Sequence, residues 1–140
     1  MNNLPYRILY EDWAEASLAD GTTIRFRGGL GALLEDGPGK FNVRFQPLMQ
    51  ILAPESLQRV TKPQTKRLGP VDVSVAPRAV SAYEHAAGYI RMATSIQKVF
   101  RTDGYDGNGE PVYEVQFNNE IQVTAAPPIG SAPQPTAPLV

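Results

Sequence analysis

Polar and apolar residues alternate in two stretches of the chain, residues 41–52 and residues 112–124. Alternation with a period of two is typical of strands that bury one face. When the two stretches are aligned, Phe45 falls on Phe117, Gln50 falls on Gln122, and most of the other apolar positions coincide. Two such similar stretches predict an internal duplication, which has to be recognised before single elements are assigned.

The likeness extends upstream of both stretches. Ile24-Arg25-Phe26 matches Ile90-Arg91-Met92, and Leu33-Leu34 matches Val99-Phe100. A loop predicted over Arg101–Pro111 is longer than its counterpart and explains the unequal spacing. The sequence therefore predicts two related three-stranded antiparallel units, at about residues 6–53 and 71–125.

Turn residues divide the first unit. Residues 6–18 are interpreted as a strand because Asp20-Gly21 is a strong hairpin signal, with a short helix over residues 13–18 as the alternative. Residues 28–31, Gly-Gly-Leu-Gly, predict a bend, and Pro47 predicts a break in the last strand.

Residues 54–70 differ in composition and are interpreted as a linker, with one helical turn at residues 55–59. Residues 71–75 alternate Val with polar residues and predict a short strand. Residues 78–87 fit either a helical turn or a strand. Residues 126–140 carry no charge and are rich in Pro and Ala, which predicts an extended polyproline-like tail.

These elements predict an all-β fold, a small antiparallel barrel or sandwich in a single domain over residues 1–125, followed by the Pro-rich tail. Its core should be formed by the inward positions of the alternating strands. The predicted buried residues are Ile24, Phe26, Val43, Phe45, Ile51, Ile90, Val99, Val115, Phe117, Ile121 and Val123.

Composition narrows the functional classes. Hydrophobic residues make up 42% of the chain, enough for a core, and the formal net charge of −1 does not favour a nucleic-acid binder. The chain has no cysteine, which excludes disulfides and thiolate metal sites. The N-terminal residues do not resemble a signal peptide, and no apolar run is long enough to span a membrane. We expect a protein that is not secreted, located in the cytoplasm or in a virion.

Candidate chemistry is sparse, and we expect no cofactor, no metal and no enzymatic activity. Asp103, Asp106, Asn108 and Glu110 cluster oxygen ligands that suit Ca²⁺, but hairpin-turn chemistry explains them better. His85 is the only histidine and follows Glu84, a pair that fits a structural role better than acid–base catalysis.

Three functions remain. The favoured one is a structural or assembly protein that binds protein subunits, and within that class a decoration or cement protein of a phage capsid, by analogy of architecture. The expected partners are subunits of a larger assembly, among them a capsid protein and copies of the chain itself. The alternatives are a nucleic-acid-binding small barrel and a ligand-binding or enzymatic barrel. The predicted partner-binding residues lie in the linker, the long loop and the tail: Arg59, Lys62, Lys66, Arg67, Tyr105, Pro127, Pro128, Pro133, Pro135 and Pro138.

Overall fold

A computed structural model describes residues 2–125 and contains twelve strands and one 3₁₀ helix at Glu55–Leu57. All strand pairs are antiparallel, so the predicted all-β antiparallel class is confirmed. The strands are β1 (Asn2–Asn3), β2 (Tyr6–Glu11), β3 (Ala14–Leu18), β4 (Thr23–Arg27), β5 (Leu30–Glu35), β6 (Phe41–Phe45), β7 (Leu48–Leu52), β8 (Arg67–Val71), β9 (Val73–Val75), β10 (Arg78–His85), β11 (Gly88–Tyr105) and β12 (Pro111–Thr124).

The strands form three sheets. The first sheet has the order β7-β4-β3-β9, and the second has the order β12-β11-β10-β2 with β8 also paired to β11. The third sheet has the order β1-β5-β6. Strands β2 and β3 are consecutive in the chain but lie in different sheets, as do β9 and β10. The chain therefore passes directly from one large sheet to the other at these two points.

The two halves of the chain, β1–β7 and β8–β12, pair their strands in the same register. The residues aligned from sequence occupy equivalent places in the two hairpins, and each hairpin has an irregularity at the same point, between Leu30 and Ala32 and between Ile96 and Lys98. The matched pairs are Ile24–Ile51 with Ile90–Val123, Phe26–Met49 with Met92–Ile121, and Leu33–Val43 with Val99–Val115.

Two hydrophobic cores hold the sheets together, and each core contains residues of both halves. The first core combines β3 and β4 of the first half with β10, β11 and β12 of the second: Ala16, Leu18, Ile24, Phe26, Ala79, Ile96, Val99 and Tyr113. The second core combines β5 with β10 and β11: Leu30, Leu33, Tyr83, Ile90 and Met92. Neither half contains a complete core.

The halves meet through residues that are equivalent in the alignment. The rings of Phe45 and Phe117 lie edge to face, with centroids 6.3 Å apart. A Cβ atom at Gly28 would lie 2.4 Å from Oγ1 of buried Thr94, a separation that only glycine avoids. At these two contacts the halves thus meet through paired phenylalanine rings and through a glycine that leaves room for Thr94.

Several boundaries differ from those expected. Residues 78–85 form a strand, so the helical alternative is wrong, and the helix considered over residues 13–18 is wrong as well. The loop expected over Arg101–Pro111 is shorter, because β11 continues to Tyr105. Ile121 and Val123 are 42% and 47% exposed, not buried, because Val115 and Phe117 of β12 pack against the first core whereas Ile121 and Val123 belong to neither core.

Candidate protein-binding face

The linker does not extend freely from the domain between residues 54 and 66. Lys62 and Tyr105 exchange backbone hydrogen bonds of 2.9 and 2.8 Å, and the Arg59 amide donates to the Gly109 carbonyl at 3.0 Å. A Cβ atom at Gly104 would lie 2.9 Å from Cα and Cβ of Gln64, so glycine lets the linker approach this closely. The linker is held against the end of the β11–β12 hairpin.

Asp103 is the main anchor of the linker. Its carboxylate accepts hydrogen bonds from the Thr65 amide at 2.8 Å, the Lys66 amide at 3.0 Å, the Thr65 hydroxyl and the Lys62 ammonium at 3.0 Å. The hydrogen bonds from Thr65 are the main reason that the pKa of Asp103 lies below its usual range. The Asp103 carboxylate, which was considered as a cation ligand, therefore accepts hydrogen bonds from the chain's own residues.

The other oxygens of this segment also have structural partners. Asp106 Oδ1 accepts the amides of Asn108 at 2.9 Å and Glu110 at 3.0 Å, the geometry of a turn. Glu110 accepts the amide of Ala53 at 3.1 Å. Within residues 2–125, no three His, Asp or Glu side chains are grouped in a way that could hold a metal ion.

The predicted basic partner-binding residues lie near this hairpin, and three of the four side chains have partners within the chain. The Arg67 guanidinium lies 4.1 Å from the centre of the Phe100 ring and donates to Glu114 at 2.7 Å. Lys62 binds Asp103, and Arg59 donates to backbone carbonyls of residues 56 and 58. Tyr105 accepts a hydrogen bond from Arg101 at 3.1 Å. The tail prolines at positions 127, 128, 133, 135 and 138 lie outside the described residues.

His85 is 7% exposed, and its ring centroid lies 5.0 Å from that of Phe41. Its Nδ1 accepts the Ala87 amide at 3.2 Å, and its buried Nε2 has no hydrogen-bond partner within residues 2–125. Glu84 points to the opposite side of β10 and pairs with Arg7, and the hydrogen bond from Arg7 lowers the pKa of its carboxyl. The two neighbours in sequence therefore do not form one site.

A different surface combines an exposed tryptophan and exposed leucines with half-buried arginines. It is the outer face of the first sheet, which includes Trp13, Arg25, Arg27, Leu48, Gln50 and Leu52, with Glu15 beside Arg25. In β4, Ile24 and Phe26 are fully buried, so the intervening arginines point outward. Paired residues share a face of a sheet, which places Leu48 beside Arg27 and Gln50 beside Arg25.

Trp13 organises the charges of the outer face. The guanidinium of Arg25 lies 4.1 Å from the centre of the Trp13 ring, and that of Arg27 lies 5.1 Å away. Arg27 also lies 3.3 Å from Glu11, whose other oxygen accepts the Tyr83 hydroxyl at 2.6 Å. Burial, followed by this hydrogen bond, raises the pKa of Tyr83. Trp13 and its two arginines are thus connected through Glu11 to Tyr83 of the second core.

The outer face is apolar only in the first half. Leu48 and Leu52 are 46% and 43% exposed, while the register places Glu120 and Thr124 at the equivalent positions of β12. The opposite face of the same two strands is apolar in both halves, where Met49 matches Ile121 and the two side chains are 43% and 42% exposed. Packing of the repeated fold therefore does not require leucine at 48 and 52.

Sequence reasoning missed this face, although the aligned copies contained a signal for it. The alignment already placed two leucines against Glu120 and Thr124. What the alignment could not show is that β7 is an edge strand and that Trp13 lies over Arg25.

Comparison of the chain with family models, with curated proteins and with solved structures gives no significant match. In the part of the chain that the structure describes, no helix has the length and apolar character needed to cross a membrane.

Proposed function

We propose that this chain is a non-enzymatic structural protein that binds other protein subunits of a larger assembly through the outer face of the first sheet. The observation that carries the proposal is the difference between the two halves at matched positions, Leu48 and Leu52 against Glu120 and Thr124. Exposed leucines that the fold does not need are most simply explained by a partner that covers them.

The remaining residues of the face suit a protein partner. Tryptophan and arginine are enriched among the residues that contribute most to protein interfaces. Trp13 is 39% exposed, and its contacts with two guanidinium groups restrict its rotation before binding. A side chain that is already ordered loses less conformational entropy when a partner binds.

Within this class, we propose a decoration or cement protein of a phage capsid. A small all-β domain with two similar halves and an apolar outer face on one of them supports this assignment by analogy of architecture. The protein would then be located in the virion and would bind a capsid subunit.

The test is co-expression of the chain with the structural proteins encoded beside its gene, followed by gradient sedimentation of the assembled particles. The variant L48E/L52T gives β7 the outward residues that β12 already carries, so we expect it to fold normally. The wild-type chain should sediment with particles, and L48E/L52T should remain at the top of the gradient.

Gln122→Glu is the matched control, because it adds one negative charge at the β12 position equivalent to Gln50. This control should sediment like the wild type. Equal sedimentation of L48E/L52T and wild type, or no association of the wild type with any of these particles, would contradict the proposal.

A further inference from the structure

Strand β7 has an unpaired edge. It is the terminal strand of the first sheet, and in the described structure only β4 pairs with it. Natural edge strands are usually protected by a charge or a proline within the strand. The segment between Pro47 and Pro54 contains no charged residue, and four of its five strand residues are exposed. This edge is therefore open to pairing with a strand of another molecule.

The sequence of β7, Leu-Met-Gln-Ile-Leu, is complementary to itself when two copies run antiparallel about Gln50. In that register Leu48 lies opposite Leu52 of the other copy, and Met49 lies opposite Ile51. Directly opposed residues lie on the same face, so apolar side chains meet apolar side chains on both faces. The two Gln50 amides face each other and can exchange hydrogen bonds.

Charge does not oppose this arrangement. The nearest outward cations, the two Arg25 side chains, would be separated by three strand spacings, about 14 Å. That separation exceeds the Debye length of about 8 Å at physiological salt, so their repulsion is screened.

Pairing of β7 with β12 of another copy is less favourable. With Gln50 opposite Gln122, Leu52 would lie against Glu120, which would lose part of its hydration beside an apolar side chain. That contact would also be head to tail, whereas pairing of β7 with itself closes about a two-fold axis.

We infer that a second copy of this chain pairs with β7, which joins two first sheets into one continuous antiparallel sheet with a two-fold axis at Gln50. The second copy is thus a partner of the sheet that carries the outer face, and the inference rests on the function proposed for that face. The dimer places the two outer faces side by side, so that four leucines form one surface for a larger partner.

Disulfide trapping tests the register directly, because the chain contains no cysteine. Opposed residues in an antiparallel pair have Cα atoms about 4.5–5.5 Å apart, within the range of roughly 4.4–6.8 Å that a disulfide spans. Oxidised Gln50→Cys should therefore form a covalent dimer. Gln122→Cys, at the equivalent position of β12, should stay monomeric.

Light scattering after size-exclusion chromatography provides the second readout. The interface is small, so we expect the mass of the full chain to rise from 15.3 kDa towards twice that value as its concentration reaches about 100 µM. L48E/L52T should dimerise at least about tenfold more weakly with an unchanged melting temperature, because a carboxylate at position 48 would oppose a hydroxyl at position 52 where two leucines met.

A wild-type chain that stays at 15.3 kDa, together with Gln50→Cys that does not cross-link, would overturn the inference. Cross-linking between Gln50→Cys and Gln122→Cys in a mixture would overturn it in favour of open head-to-tail pairing. If the chain is monomeric but L48E/L52T still loses particle association, the dimer fails and the proposed function stands. If a disulfide-trapped dimer forms but the chain never associates with particles, the dimer stands and the proposed function fails.

Discussion

At the scale of single residues, the carboxylates that the sequence offers as candidate cation ligands stabilise the chain's own structure. Asp103 and Glu110 hold the linker, and Asp106 closes a turn. Turn chemistry at Asp106 was predictable, because Asp, Gly and Asn favour turns locally. The hydrogen bonds that Asp103 accepts from the amides of residues 65 and 66 were not predictable, because they join positions far apart in sequence.

We predict that Asp103→Asn destabilises the protein and that the effect becomes smaller in acid. The pKa of Asp103 is lower in the folded chain than its usual value of about 3.9. Its stabilising contribution is therefore complete above about pH 4 and is lost as the pH falls through the folded pKa. Thermal unfolding followed by circular dichroism should show a lower melting temperature for the variant at pH 7, and the difference from the wild type should be smaller near pH 2.

The control for that measurement is Asp36→Asn, which removes one negative charge from an exposed turn. It should change the melting temperature little at either pH. A difference between Asp103→Asn and wild type that is the same at pH 7 and in acid would show that the carboxylate charge is not the stabilising feature.

At the scale of elements, alternation and turn residues located most strands, and the pairing register follows from the same pattern. Ile24 and Ile90 lie opposite Ile51 and Val123, as the aligned hairpins predict. The sequence could not show which strands lie at the edges. The sequence also could not show which part of a strand a core covers, and Ile121 is exposed where a buried residue was expected.

The contact between Gly28 and Thr94 gives a prediction at this scale. In Gly28→Ala the new Cβ would lie 2.4 Å from Thr94 Oγ1, and we expect the free energy of unfolding to fall by about 1–3 kcal/mol. Thr94→Ala removes the clashing oxygen but also a hydrogen bond of 2.9 Å to Asn119. The double variant should therefore be more stable than the sum of the single effects predicts.

Urea denaturation of the four proteins of this cycle measures the coupling energy. Gly69→Ala is the control, because no atom lies within 4 Å of its added Cβ and its φ is not positive. Additive effects of Gly28→Ala and Thr94→Ala would mean that the halves do not meet closely at this point.

At the scale of the whole molecule, the two halves exchange parts. Strand β2 of the first half pairs with β10 of the second, and β9 of the second pairs with β3 of the first. The likeness of the halves was readable from sequence, but this exchange was not, because alternation shows that a strand has a buried face without showing what covers it. The outer face belongs to the same scale, since the function proposed for it rests on a difference between the halves.

The exchange predicts that no half folds as a monomer. The chain can be divided after Val60, which is 88% exposed in the linker. The fragment before the cut retains Ile24 and Phe26 but loses Ile96 and Val99 from the first core, and the second core is divided in the same way. The buried apolar area that remains in either fragment cannot offset the conformational entropy of ordering it.

Separately expressed fragments should lack cooperative thermal unfolding at low concentration, and mixing them should restore both the strand signal in circular dichroism and a cooperative transition. The restored species should contain two halves when its mass is measured by light scattering. The uncut chain with a protease site inserted after Val60 controls for the insertion, because cleavage should leave it folded while both pieces stay together. A single fragment that unfolds cooperatively as a monomer would show that one half can complete a core alone.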